Sequence, residues 1–148
     1  MESPISNFYE FTTKIGTSGQ PEPEDFTWIK ENGYHVVLNI TPSYMHYYLE
    51  EEAEICKLLN LKYIHFPIDY KDINVENFST FSNLLNENAE NKMLIHCGAN
   101  VKVSVLIHAY MVLKVGWDEA KSQNVLFKIK YPDKYWNQFY KSLGLNPI

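Results

Sequence analysis

Short β-branched runs alternate with helix-period stretches along this chain. Residues 35–40, 62–68 and 93–96 are brief apolar runs centred on Val36-Val37-Leu38, Tyr63-Ile64 and Leu94-Ile95, with the length and composition of buried strands. Residues 11–15 predict a further short strand, and residues 16–21 a turn-rich connection. Residues 23–32 predict a helix, because Pro23, Glu24 and Asp25 suit a first turn and Gly33 suits a stop. Leu49, Ala53, Ile55, Cys56, Leu58 and Leu59 recur among acidic residues and predict an amphipathic helix over 46–60. Val75, Phe78, Phe81, Leu84 and Leu85 keep helical spacing over 74–88, after a polar loop at 69–73. From Ser104 to Val115 nearly every residue is apolar, which predicts a central buried helix ended by Gly116. Two more helices are expected at 117–130 and 133–143, separated by Pro132.

Such alternation predicts an α/β fold in one domain: a central, mostly parallel sheet of four to five strands flanked by helices. Ligands in these folds bind beyond the carboxyl ends of the strands. Asp69 and Cys97 each directly follow a predicted strand, so both are expected at one edge of the sheet.

Composition narrows the functional classes. The chain has 148 residues, 45% apolar and 15% aromatic, enough for a packed core. No apolar run approaches the roughly 20 residues that span a bilayer. The first residues lack a basic start followed by an apolar stretch, so a cytoplasmic protein without a membrane partner is expected. Net charge is −5 and all 13 basic residues are lysine, which argues against a nucleic-acid partner. Cys56 and Cys97 make no disulfide framework, and no Cys/His cluster has metal spacing. Neither metal nor cofactor is called for. Cys56 reads as a small buried hydrophobe on its helix. His35, His65 and His108 read as structural histidines on strands and on the central helix.

The chemistry concentrates in His96-Cys97-Gly98-Ala99-Asn100-Val101-Lys102-Val103-Ser104. A thiolate is the nucleophilic form of cysteine, and a helix N-terminus favours it. Cys97 stands between a strand and a helix. The backbone N–H groups of Gly98, Ala99, Asn100, Val101, Lys102 and Val103 can surround an anion above the sulfur. Gly98 and Ala99 allow close approach, and Asn100 tolerates the left-handed conformation of a tight cradle. Ser104 is expected to open the helix, there either to cap it or to hydrogen-bond the departing thiolate. His96 is expected to support the loop. Lys102 is either the cation of the site or a solvated residue of the first turn. Tyr44, Tyr47, Tyr48 and Tyr70 form a substrate platform or simply pack.

This segment resembles the cysteine-dependent protein tyrosine and dual-specificity phosphatases, whose signature is His-Cys-x5-Arg-Ser/Thr. His96, Cys97 and Ser104 match it. Within that superfamily the chain is similar to small bacterial phosphatase-like proteins with a Ser-Gly-Gln-Pro start. The matching segments are Thr17-Ser18-Gly19-Gln20-Pro21, Gly33-Tyr34-His35-Val36-Val37-Leu38-Asn39, Tyr63-Ile64-His65-Phe66-Pro67-Ile68-Asp69, Tyr131-Pro132 and Trp136-Asn137-Gln138-Phe139.

The resemblance implies one phosphatase-like domain over 1–148, acting on a phosphorylated protein or small molecule through a phosphocysteine intermediate. It implies that Asp69, or Asp72 on the same loop, is the acid that protonates the leaving oxygen. The signature arginine falls at Val103, and the basic residue is Lys102, one place earlier, as in the bacterial branch. Lysine supplies charge without the planar fork of arginine. A slow phosphatase and a pseudophosphatase that binds phosphate without turnover both follow from that exchange. A rhodanese-type sulfur carrier is a further alternative, and it has no use for an acid at Asp69.

Overall fold

The computed structural model describes residues 3–129 and 133–148. The Tyr131-Pro132 motif and the last residue of the helix expected at 117–130 lie outside the described residues. The strands are β1 (Tyr9–Thr12), β2 (Ile15–Ser18), β3 (Val36–Asn39), β4 (Lys62–His65) and β5 (Met93–His96). The helices are α1 (Asp25–Glu31), α2 (Glu52–Leu58), α3 (Val75–Glu87), α4 (Val101–Tyr110), α5 (Glu119–Ile129) and α6 (Asn137–Ser142). One wide π turn, Met111–Val115, continues α4 up to Gly116, whose φ of 92° ends it. Among the described residues, no helix is long and apolar enough to cross a membrane.

The five strands form one sheet in the order β1-β2-β5-β3-β4. All neighbours are parallel except the β1–β2 hairpin. Every residue of β3 and β5 is buried, as expected for central strands covered on both faces. Side chains alternate between those faces. Val36 and Leu38 of β3, with Met93, Ile95 and Cys97 along β5, enter the larger core under α3, α4 and α6. Val37 and Leu94 point the other way, into a smaller core with Phe26 and Ile29 of α1 and Cys56 of α2. The same alternation turns His96 toward α2 and Cys97 toward α4.

Four expectations from the sequence need correction. Residues 16–18, expected in a turn, belong to β2, and the strand expected over 11–15 is broken by the turn at Thr13-Lys14, because parallel pairing with β5 (Ile15↔Met93 through Ser18↔His96) recruits a segment of weak intrinsic preference. Gly16 fits there because a Cβ would lie 2.2 Å from the Tyr34 hydroxyl. The amphipathic helix of 46–60 contracts to α2. Residues 42–51 form successive turns instead, with Met45 N–H donating to the Pro42 carbonyl and Tyr48 N–H to that of Met45. Residues 133–143 split into a short 3-10 turn, Lys134–Trp136, followed by α6. His35 stands just outside β3, exposed, and its N–H donates to the Lys92 carbonyl.

Candidate active site

β5 delivers His96 to the carboxyl edge of the sheet, and the chain turns at Cys97 into the loop before α4. Asn100 ends that loop in the left-handed region, at φ 63°. Its buried side chain donates to the Asn7 carbonyl (2.8 Å) and to Thr17 Oγ1 (2.9 Å). Asn therefore does two tasks: it adopts a backbone state most side chains resist, and it ties the loop to the N-terminal strands. The helix opens directly after it, at Val101. Ser104 thus lies inside the first turn rather than at the start. Its hydroxyl donates to the Val101 carbonyl at 2.9 Å, so it neither caps the helix nor opens it.

The loop is also pinned from β2. Gln20 N–H donates to the Gly98 carbonyl at 3.1 Å, and Gly19 bridges Ala99. A Cβ on Gly19 would stand 2.7 Å from that carbonyl oxygen, so the approach requires glycine. The N–H groups of Gly98, Ala99, Val101, Lys102 and Val103 have no hydrogen-bond acceptor among the described residues. Unpaired amides at a helix N-terminus, beside the positive end of its dipole, make an anion-binding environment.

Cys97 lies at the floor of a cavity of about 200 Å³. Its walls include Pro42, Tyr44, Tyr47, Tyr70, Lys102 and Trp136. Tyr47 lies flat over the loop, and a Cβ on Gly98 would meet its ring at 2.4 Å. Burial, and then the negative charge of Cys97, push the Tyr47 phenol up from its ordinary value. Lys102 is half-buried. Its Nζ donates to the Ile68 carbonyl at 2.7 Å. Burial lowers its pKa, while the charges of Cys97 and then Asp69 oppose the fall.

Asp69 follows β4 on the same edge but is held outside the cavity. One carboxylate oxygen accepts from the Tyr44 hydroxyl and the other from Lys71 N–H at 3.1 Å. With Pro42, Tyr44, Pro67 and Asp72 it borders a separate shallow cleft. Tyr44 is the wall between that cleft and the Cys97 cavity. Asp72 is exposed on the short turn Tyr70–Asp72. Tyr44, Tyr47 and Tyr70 line the cavity, whereas Tyr48 packs on His65 with ring centroids 5.4 Å apart.

No known family model matches the chain, and no curated protein matches it in sequence. Solved structures do match. A DUF442 protein from Shewanella putrefaciens CN-32 superposes with a TM-score of 0.74 at 20% identity, over 95% of this chain and 85% of that one. TpbA of P. aeruginosa gives 0.76 at 13%, over 95% and 86%. The catalytic core of the PP-IP phosphatase SIW14 from S. cerevisiae gives 0.75 at 21%, over 87% and 78%. The chain has the protein tyrosine phosphatase fold. In this phosphatase fold the His-Cys loop stands where the sequence alternation places it, at the carboxyl edge of the central strands.

Several residues that build the site escape a linear reading. Glu52 is fully buried, with Oε2 2.5 Å from His96 Nε2. Its other oxygen accepts from Gln20 Nε2 at 2.9 Å. Thr17 and Asn7 hold Asn100. The one available signal is the Ser-Gly-Gln-Pro segment, which contains Gly19 and Gln20. His108 and Cys56 stay away from the cavity. His108 Nδ1 pairs with Ser122 Oγ at 2.7 Å, and Cys56 is buried in the smaller core.

Proposed function

We propose that this protein hydrolyses phosphomonoesters through a phosphocysteine intermediate. The observation that carries this reading is Cys97 at the cavity floor, followed by unpaired amides at the N-terminus of α4. The thiolate attacks phosphorus and the ester oxygen leaves. The amides and the Lys102 ammonium offset the charge on the equatorial oxygens. Asp69 protonates the leaving oxygen and then takes a proton from the water that cleaves the phosphocysteine. That role requires the Tyr44–Asp69 bond to open, which moves the carboxyl toward the cavity. Ser104 lies in the first turn of α4, after the loop, with a hydroxyl that can turn from the Val101 carbonyl to the departing thiolate. The substrate is a phosphorylated protein or small molecule. A cysteine-to-serine form of TpbA was solved with phosphotyrosine, which supports a phosphorylated side chain as one such substrate. Two free, buried thiols fit a reducing, cytoplasmic setting.

Turnover of an aryl phosphate by wild type, Cys97→Ser, Asp69→Asn and Lys102→Arg tests the reading. Wild-type turnover abolished in Cys97→Ser is expected. Wild type no faster than Cys97→Ser with any phosphoester overturns it. A second reading, phosphate binding without turnover, is favoured by one observation: one of the three N–H donors of the Lys102 ammonium is committed to the Ile68 carbonyl. Tight orthophosphate binding by a wild type that turns nothing over would establish it.

A further inference from the structure

Cys97 itself is held weakly. Its N–H donates to the Ser18 carbonyl over a long 3.4 Å. Its neighbours on either side are held firmly, and both lead to one buried carboxylate. His96 precedes it and lies 2.5 Å from Glu52 Oε2, with neither side chain more than 1% exposed. Gly98 follows it, and its carbonyl accepts from Gln20 N–H at 3.1 Å, while the Gln20 amide donates to Glu52 Oε1 at 2.9 Å. The two arms of Glu52 therefore close on the nucleophile from opposite sides.

We propose that Glu52 is a positioning residue for Cys97, fixing the sulfur through His96 on one side and through Gln20 and Gly98 on the other. This rests on Cys97 being the nucleophile. Stability alone is a poor reason for the arrangement. A buried polar contact recovers little more than its desolvation cost, and apolar residues of similar volume often serve as well. Among the described residues, His96 Nδ1 and Gln20 Oε1 have no hydrogen-bond partner. Glu52 comes from α2, remote in sequence, so the clamp forms only when the sheet and α2 have docked. The charge of Glu52 also reaches its own helix: burial first, and then that carboxylate, push the Cys56 thiol up to about 12.

The test compares wild type with Glu52→Gln, Glu52→Leu and Gln20→Ala. Gln20→Ala keeps the backbone N–H to Gly98 and guards against a Glu52 variant that fails to fold. Two readouts are taken on folded protein, matched by circular dichroism and melting temperature. One is kcat and KM for an aryl phosphate. The other is the pH profile of Cys97 alkylation by iodoacetamide, in which Cys56, fully buried in the smaller core and away from the cavity, is expected to stay silent. The titratable side chains beside Cys97 are Tyr44, Tyr47, Tyr70 and Lys102 in the cavity wall and His96 before it in the chain, and none is altered. Glu52→Leu is expected to lower kcat about a hundredfold with KM nearly constant, as a small misplacement of a reacting group does. Its alkylation profile should depart from that of wild type. Glu52→Gln keeps the length but offers one acceptor oxygen where the carboxylate offers two, so it holds only one of the two contacts, and it should fall between wild type and Glu52→Leu, as should Gln20→Ala. Profiles that superimpose on wild type, or a kcat loss that only tracks loss of folded protein, overturn the proposal. If wild type hydrolyses no phosphoester, the alkylation profile alone decides it, so the two readings fail separately.

Discussion

Lys102 Nζ donates to the main-chain oxygen of Ile68 at 2.7 Å, joining the loop after β5 to the segment that carries Asp69. The ammonium thus stands between the candidate nucleophile and the candidate acid, and the negative charges of both reach it. Burial lowers its pKa, so on raising the pH Lys102 loses its proton earlier than an exposed lysine. The alkaline limb of kcat/KM should therefore lie at lower pH in wild type than in Lys102→Arg, whose guanidinium stays charged. Lys102→Met should cost about a hundred- to a thousandfold in kcat, the usual effect of losing one preorganised donor. A pH–rate series on the three proteins checks both outcomes.

The Tyr44 hydroxyl donates to Asp69, the candidate acid. Tyr44→Phe keeps the ring in the cavity wall and removes only the donor. It should raise the rate on alkyl phosphates, whose leaving groups need the acid, more than on activated aryl phosphates, which need it little. The ratio of the two rates, variant against wild type, is the measurement. An unchanged ratio would show that this bond has no part in acid delivery.

Asn100 carries both backbone and side-chain demands. Asn100→Ala forces an ordinary residue into φ 63° and strips Thr17 and the Asn7 carbonyl of their partner. A loss of about 3 kcal/mol is expected from left-handed strain and the lost buried hydrogen bonds. Asn100→Gly removes the strain and should lose less. Urea unfolding of the three proteins gives the comparison.

His108 is buried beneath Tyr140 and hydrogen-bonded to Ser122. Burial depresses its pKa to about 4, against a smaller opposing effect from Glu119. The unfolded chain takes up this proton near 6.5 and the folded chain resists until about 4. The stability this group gives is thus fully present above pH 6.5 and is lost as the pH falls toward 4. The loss between pH 7 and pH 5 is about 2 kcal/mol. His108→Gln should flatten that part of the stability–pH curve, as read by urea unfolding at the two pH values.

The elements that read correctly from the sequence are those whose burial is written into local composition. Met93–His96 is recovered residue for residue, and α1, β3 and α3 to within a few positions, because β-branched runs and apolar spacing dictate them before any packing. The left-handed Asn100 is legible for the same reason: its preference is its own. Gly98, Lys102 and Asp69 also fall on the predicted edge, since strand alternation alone determines which ends of the strands meet.

What the chain order hides is long-range pairing and selective burial. Ile15-Gly16-Thr17-Ser18 is a strand only because β5 offers it a ladder. Tyr47 leaves the helix predicted over 46–60, where its ring packs against Gly98, and Tyr44 just before it bonds Asp69. Glu52 sits in the run Glu50-Glu51-Glu52-Ala53-Glu54, where every acid has the same local character. Docking of α2 on the sheet buries one of them against His96 and leaves Glu50, Glu51 and Glu54 exposed. The sequence by itself determines the strands, the nucleophilic loop and its order in the chain. The tertiary structure alone decides which carboxylate meets His96 and Gln20 and which tyrosine meets Asp69, because those contacts join segments that share no local signal.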